Sequence, residues 1–104
     1  MPLLLAVLLA ANLLAPSGLL AATSKFERQN VTVLGMVEGI SARQIPGGWI
    51  TQFALCDSRC INVVEFTKPT FTVGQSITVA GTFHSIYSNG IVQARNCVVV
   101  GQPQ

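Results

Sequence analysis

The chain has 104 residues, with six Lys or Arg, four Asp or Glu and one His, and its formal net charge is +2 at pH 7. This length is enough for one small domain. The weak positive charge permits a polyanionic partner. It excludes the class of strongly basic nucleic-acid-binding domains, whose pI lies above about 9. The sequence has no nucleophile elbow, phosphate-binding loop or metal-hydrolase motif. It therefore predicts no enzyme and no catalytic residue.

The first 22 residues predict a signal peptide. Residues 2–15, "PLLLAVLLAANLLA", carry no charge, and Pro16 and Gly18 interrupt the apolar stretch before the small residues that follow. No Lys or Arg precedes this stretch, and Leu20 is larger than the residue usual near a cleavage site. An N-terminal membrane anchor is the alternative, although a spanning helix needs about 20 consecutive apolar residues. We expect cleavage near Thr23, a secreted or periplasmic location, and no membrane association after processing.

The mature domain, residues 23–104, contains no helical periodicity. Short runs rich in Val, Ile, Thr and Phe, bounded by Gly, Pro, Asn and Ser, are typical of strands. Asn89-Gly90 predicts a hairpin turn before the last of them. Residues 41–48 are predicted as a loop and residues 67–75 as a longer connection. The predicted strands cover 31–40, 49–57, 60–66, 76–86 and 91–100.

Five strands in so short a domain must protect their edges, and closure into a small barrel is the usual way to do so. Gly35 and Gly81 lie in the middle of two predicted strands. Mid-strand glycines occur where a strand bends sharply or approaches another backbone closely. The sequence therefore predicts an all-β fold, a five-stranded barrel.

The pattern "VTVLGMVEGI … FALCDSRCINVVEF … FTVGQSITVAGTF … NGIVQARNCVVV" resembles the OB-fold domains of the anticodon-binding, nucleic-acid-binding type. It is also similar to small bacterial periplasmic OB-fold proteins, and it covers nearly all of residues 31–100. The resemblance implies a Greek-key barrel and a binding function. It departs from the family at Cys60, where a glycine is usual. OB folds host many kinds of ligand, so the function follows from the fold only by analogy.

Two cysteines, Cys56 and Cys60, flank a three-residue turn. If Leu55 and Ile61 point inward, both cysteines point outward on paired strands. Opposed Cα atoms then lie about 4.5–5.5 Å apart, within the range that a disulfide accepts. A secreted chain meets oxidising conditions. We therefore predict a Cys56–Cys60 disulfide.

The third cysteine, Cys97, leaves three alternatives open: a buried free thiol, a rival partner for Cys60, or a bridge to another chain. A zinc site would have to combine the cysteines with His84, the single histidine, and their spacing is unlike that of zinc-binding motifs. We therefore expect no metal site and no cofactor.

In OB folds the ligand lies across the second and third strands, between two flanking loops. Aromatic side chains with interleaved basic residues suit the stacking and phosphate attraction of single-stranded DNA or RNA. Trp49 lies an even number of positions from Phe53 and Leu55, so it would face the same side of its strand. The alternative is therefore that Trp49 packs on the barrel core. We expect a binding module for single-stranded nucleic acid; the alternative is a periplasmic small-ligand or protein-interaction module. By position, the candidate ligand residues are Arg43, Trp49, Gln52, Asn62, Val64, Phe66, Lys68, His84 and Tyr87.

Overall fold

A computed structural model describes residues 13–101 of the chain. Strands account for most of this part, and two short helices precede the barrel. In chain order the elements are β1 (Leu13–Leu14), α1 (Pro16–Leu20), α2 (Thr23–Phe26), β2 (Asn30–Ile45), β3 (Gly48–Cys56), β4 (Cys60–Glu65), β5 (Ser76–Ser88) and β6 (Gln93–Val100).

The strands β2 to β6 form a closed barrel in the order β2-β3-β4-β6-β5, and β5 pairs again with β2. The β4–β6 pairing is parallel, and the other four pairings are antiparallel. This is the strand order of an OB-like barrel, so the prediction of an all-β, five-stranded barrel is confirmed. β1 adds a short parallel pairing to β2 at Thr32 and Val33.

The barrel interior is filled by alternate side chains of each strand. In β2, the buried Val31, Val33 and Val37 alternate with half-buried and exposed residues. Such alternation places one face of a strand in the core and the other outside it. The interior cluster consists of Leu19, Val31, Val33, Val37, Phe53, Leu55, Ile61, Val63, Val79, Phe83 and Val98.

The predicted loop at residues 41–48 is wrong, because β2 continues to Ile45 and pairs with β3 along most of that stretch. A register shift lies between Glu38 and Ile40, and Gly39 between them has φ +62°. Such an irregularity bends a strand and changes its direction. The polar residues after it belong to a β2–β3 hairpin that is exposed on most of its length, which explains why their composition is typical of a loop.

The segment between residues 13 and 26 lies against the barrel, and it forms the helices that the sequence did not predict. Pro16 begins α1, a position where its missing N–H costs no hydrogen bond. Leu19 has no exposed surface and belongs to the interior cluster. The described part of the predicted leader, from residue 13 onward, therefore contributes packing to the domain that it precedes. Cleavage near Thr23 stays a prediction, and residues 1–12 lie outside the described residues.

Within residues 13–101, no helix is long and apolar enough to cross a membrane.

Candidate functional site

Part of the outer face of β3 and β4, where OB folds bind their ligands, is covered by the chain itself, whereas Cys60 and Asn62 on the same face are exposed. Val64 follows the inward-facing Val63 in β4 and therefore points away from the interior. It nevertheless has no exposed surface. It packs with Ile50 of β3 and Val92, which precedes β6. We call this group the outer cluster; it also contacts Ile45, Phe66 and Ala94.

The outer cluster exists because the β5–β6 hairpin bends over this face and meets the β2–β3 hairpin. Arg43 Nη2 donates a hydrogen bond of 2.9 Å to the carbonyl oxygen of Ile91. The side chain of Asn89 accepts hydrogen bonds from the N–H groups of Ile91 and Val92, both at 2.9 Å. Gly90 has φ +86°, which confirms the predicted Asn89-Gly90 turn. The two loops expected to frame a ligand therefore contact each other.

Three further candidate residues lie around the β3 side of this region. Trp49 and Gln52 are half-buried, and Lys68 is exposed. The Lys68 ammonium lies 5.5 Å from the centroid of the Trp49 ring, within the range of a cation–π contact. Trp49 therefore sits at the rim of the barrel, outside the interior cluster that holds Phe53.

The remaining candidates lie on β4 and β5. Asn62 Nδ2 donates a hydrogen bond of 2.7 Å to the carbonyl oxygen of Arg95. The rings of His84 and Tyr87 are 5.3 Å apart, and Tyr87 packs with the buried Cys97. Burial raises the pKa of Tyr87, and the buried Tyr87 hydroxyl has no hydrogen-bond partner among the described residues. Phe66 packs with both Val64 and Tyr87, so these three candidates lie together and are largely covered. The role of the candidates in binding stays a prediction.

The Cys56–Cys60 disulfide is present, with the two Cα atoms 4.1 Å apart. The prediction of a hairpin disulfide is confirmed, and a Cys60–Cys97 bond is ruled out. Cys97 is a free, fully buried thiol. Burial, with a smaller contribution from the charge of Glu27, raises the pKa of Cys97 to about 11. A neutral, inaccessible thiol is a poor nucleophile, so the geometry assigns Cys97 to packing.

Asp57, in the turn closed by the disulfide, connects the turn to α1. Its carboxylate accepts hydrogen bonds from the N–H of Arg59 at 3.1 Å and from the N–H of Ser17 at 3.0 Å. The Ser17 hydroxyl donates to the second carboxylate oxygen. The pKa of Asp57 is lowered, chiefly by the hydrogen bond from the Ser17 side chain. Asp57 therefore supports its own turn through Arg59 and ties the turn to α1 through Ser17.

The lowered pKa of Asp57 predicts a loss of stability in acid. Because the folded pKa lies below the unfolded one, the stabilisation is fully present above the unfolded value and disappears as pH falls through the folded value. We expect the melting temperature of the wild type to exceed that of Asp57→Asn at neutral pH, and the difference to shrink below about pH 4. Ser17→Ala, which removes the main cause of the shift, should show a weaker pH dependence. A wild-type advantage that persists unchanged to pH 2 would contradict this assignment.

Sequence reasoning missed three outward side chains of β2: Leu34, Met36 and Glu38. Leu34 is 43% exposed and Met36 is 46% exposed. The sequence did carry a signal for Leu34 and Met36. Both are large apolar residues, and they face the side of β2 opposite to the buried Val33 and Val37. Glu38 Oε2 lies 4.0 Å from Cys60 Sγ.

Neither a model of a known protein family nor a curated protein matches this sequence. The site combines a partly covered β3–β4 face, a disulfide at one end of the hairpin, and exposed aliphatic side chains on β2.

Proposed function

We propose that this protein is a secreted or periplasmic binding module, built on an OB-like barrel, that recognises a protein partner and performs no catalysis. The observation that carries this proposal is the pair of exposed aliphatic side chains Leu34 and Met36 on the outer face of β2. They stand two positions apart on one strand, so they lie on the same face. Contiguous exposed apolar surface marks protein-interaction sites, and we assign this pair to such a site.

The distribution of aromatic residues also supports a protein ligand. Single-stranded nucleic acids stack their bases on accessible aromatic rings. Within residues 13–101 no Phe, Tyr or Trp is exposed; each is buried or half-buried. Around Val64, the part of the β3–β4 face where bases would stack is covered by the outer cluster.

The cellular location is part of the same proposal. A disulfide persists in oxidising compartments, and the Cys56–Cys60 disulfide is compatible with one. The uncharged stretch at residues 2–15 supports export.

Photo-crosslinking tests the proposal. A photoreactive amino acid placed at Leu34 of the full chain should form a covalent adduct with a protein in the native host. The same probe at Thr70, an exposed polar position in the β4–β5 connection, serves as the control. We expect an adduct from position 34 only, and we expect Met36→Lys to reduce its yield. Equal labelling from both positions, or none from either, would contradict a partner at this face.

A single-stranded nucleic acid is the second candidate ligand, in keeping with the resemblance to anticodon-binding OB folds. The specific observation in its favour is the Lys68 ammonium over the Trp49 ring, because a cation and an aromatic ring at the barrel rim suit a phosphate and a base. A fluorescence-anisotropy titration with a labelled oligonucleotide at low salt distinguishes the candidates. Binding that weakens steeply with salt, and weakens again in Trp49→Ala, would favour the nucleic acid. The protein-partner proposal expects neither effect.

A further inference from the structure

Three side chains that can ligate a metal meet on the outer face of the barrel, beside the β3–β4 turn. Glu38, Cys56 and Cys60 each provide one ligand atom, and these atoms all lie within 4.8 Å of one another. In the oxidised protein the two sulfur atoms are bonded to each other. Their electron pairs become available as thiolates only when that bond is broken.

We propose that reduction of the Cys56–Cys60 disulfide converts this cluster into a zinc-binding site with two thiolate ligands and one carboxylate ligand. The reductant is a dithiol, which transfers two electrons and two protons to the cysteines and becomes a disulfide itself. Zinc then displaces one proton from each cysteine thiol and binds both sulfurs.

The strand geometry allows this change without rearrangement of the barrel. Zinc binds sulfur at about 2.3 Å in a tetrahedral arrangement, which requires a sulfur–sulfur separation of about 3.8 Å. The Cα atoms of the two cysteines lie only 4.1 Å apart, so rotation of the side chains is enough to reach that separation. Glu38 is the cross-strand partner of Ala54, two residues from Cys56, which places its carboxylate on the same face.

The donor set identifies the cation. Soft monovalent copper prefers sulfur ligands alone, and magnesium and calcium prefer oxygen alone. Zinc accepts both thiolate and carboxylate ligands, and with three protein ligands it keeps a fourth position for water. Glu38 and Cys60 are exposed, which gives the cation a path from solvent, whereas Cys56 is buried.

Cobalt serves as the spectroscopic probe for this site. The full chain, reduced with a phosphine that leaves no competing thiol, is titrated with Co²⁺. We expect a thiolate-to-cobalt charge-transfer band in the near ultraviolet that saturates at one Co²⁺ per chain and disappears when zinc is added. The oxidised protein should give no band. A reduced wild type without a band, or an oxidised protein with the same band, would overturn the proposal.

Substitutions test the contribution of each ligand to metal binding separately. Cys60→Ser should abolish the band, and Cys97→Ala, which keeps both cysteines of the cluster, should leave it unchanged. Glu38→Gln should weaken zinc binding by about tenfold or more, because even residues outside the ligand shell contribute 10- to 100-fold. This last variant leaves the disulfide intact and changes an exposed side chain, so its folding is secure. A Glu38→Gln protein that binds zinc as tightly as the wild type would exclude the carboxylate and overturn the three-ligand site.

Discussion

Gly81→Ala is expected to destabilise the barrel by about 3 kcal/mol, at the upper end of the cost of overpacking a core. A Cβ atom on Gly81 would collide with the carbonyl oxygen of Val99 and would lie 2.9 Å from Cγ1 of Val98. A backbone carbonyl in a paired strand cannot rotate away, so β5 and β6 would have to separate. Chemical denaturation followed by circular dichroism measures the loss.

Two further glycine variants control this experiment. At Gly18 in α1 a Cβ meets no atom within 4 Å, so Gly18→Ala should cause no loss of stability. At Gly35 a Cβ would lie 2.9 Å from Cγ of Leu55 and 3.0 Å from the carbonyl oxygen of Cys56. Gly35→Ala should therefore destabilise less than Gly81→Ala and provides a measurable value if the latter fails to fold. A Gly81→Ala protein as stable as the wild type would show that the two strands lie further apart.

Leu19→Ala should lower the free energy of unfolding by about 2–5 kcal/mol, the range for a buried leucine whose removal leaves a cavity. Leu19 is fully buried against the interior cluster although it belongs to the predicted leader. Thermal and denaturant melts of the full chain measure the effect. Leu13→Ala is the matched control, because Leu13 is 40% exposed and such a substitution should change stability by about 0.5 kcal/mol or less.

Because Leu19 packs on the interior cluster, the predicted cleavage near Thr23 should lower the stability of the barrel. A chain that begins at Thr23 lacks Leu19 as well as the Ser17 donors to Asp57. It should therefore be less stable than the full chain by at least the loss measured for Leu19→Ala. Equal stability of the two chains would mean that α1 contributes nothing to the barrel. N-terminal sequencing of exported protein separately tests whether the chain is cut near Thr23.

Much of the barrel could be predicted because its signals are local. Inward and outward residues alternate along β2 and β3, and this alternation identifies Val33, Val37, Phe53 and Leu55 as interior side chains. The Asn89-Gly90 turn depends on the backbone freedom of two adjacent residues.

The candidate site was less predictable, since it depends on which outward residues become covered. Val64 was expected on the ligand-binding face because its position alternates with the inward Val63, and Tyr87 was expected there because of its place in the loop before the last strand. Both are buried, Val64 against Ile50 and Val92 and Tyr87 against Cys97 and Val99. The exposed residues Leu34 and Met36, by contrast, looked like ordinary apolar positions of a strand.

The sequence by itself determined the class of fold, most of the strand residues of the interior and the Cys56–Cys60 disulfide. Each of these follows from residues close together in the chain; the two cysteines are only four positions apart. Only the tertiary structure decided that Arg43 meets Ile91 and that Ser17 meets Asp57, across separations of 48 and 40 residues. The physical reason is that strand periodicity specifies which side of a strand each residue faces, whereas the curvature of the closed barrel decides which distant segment covers that side.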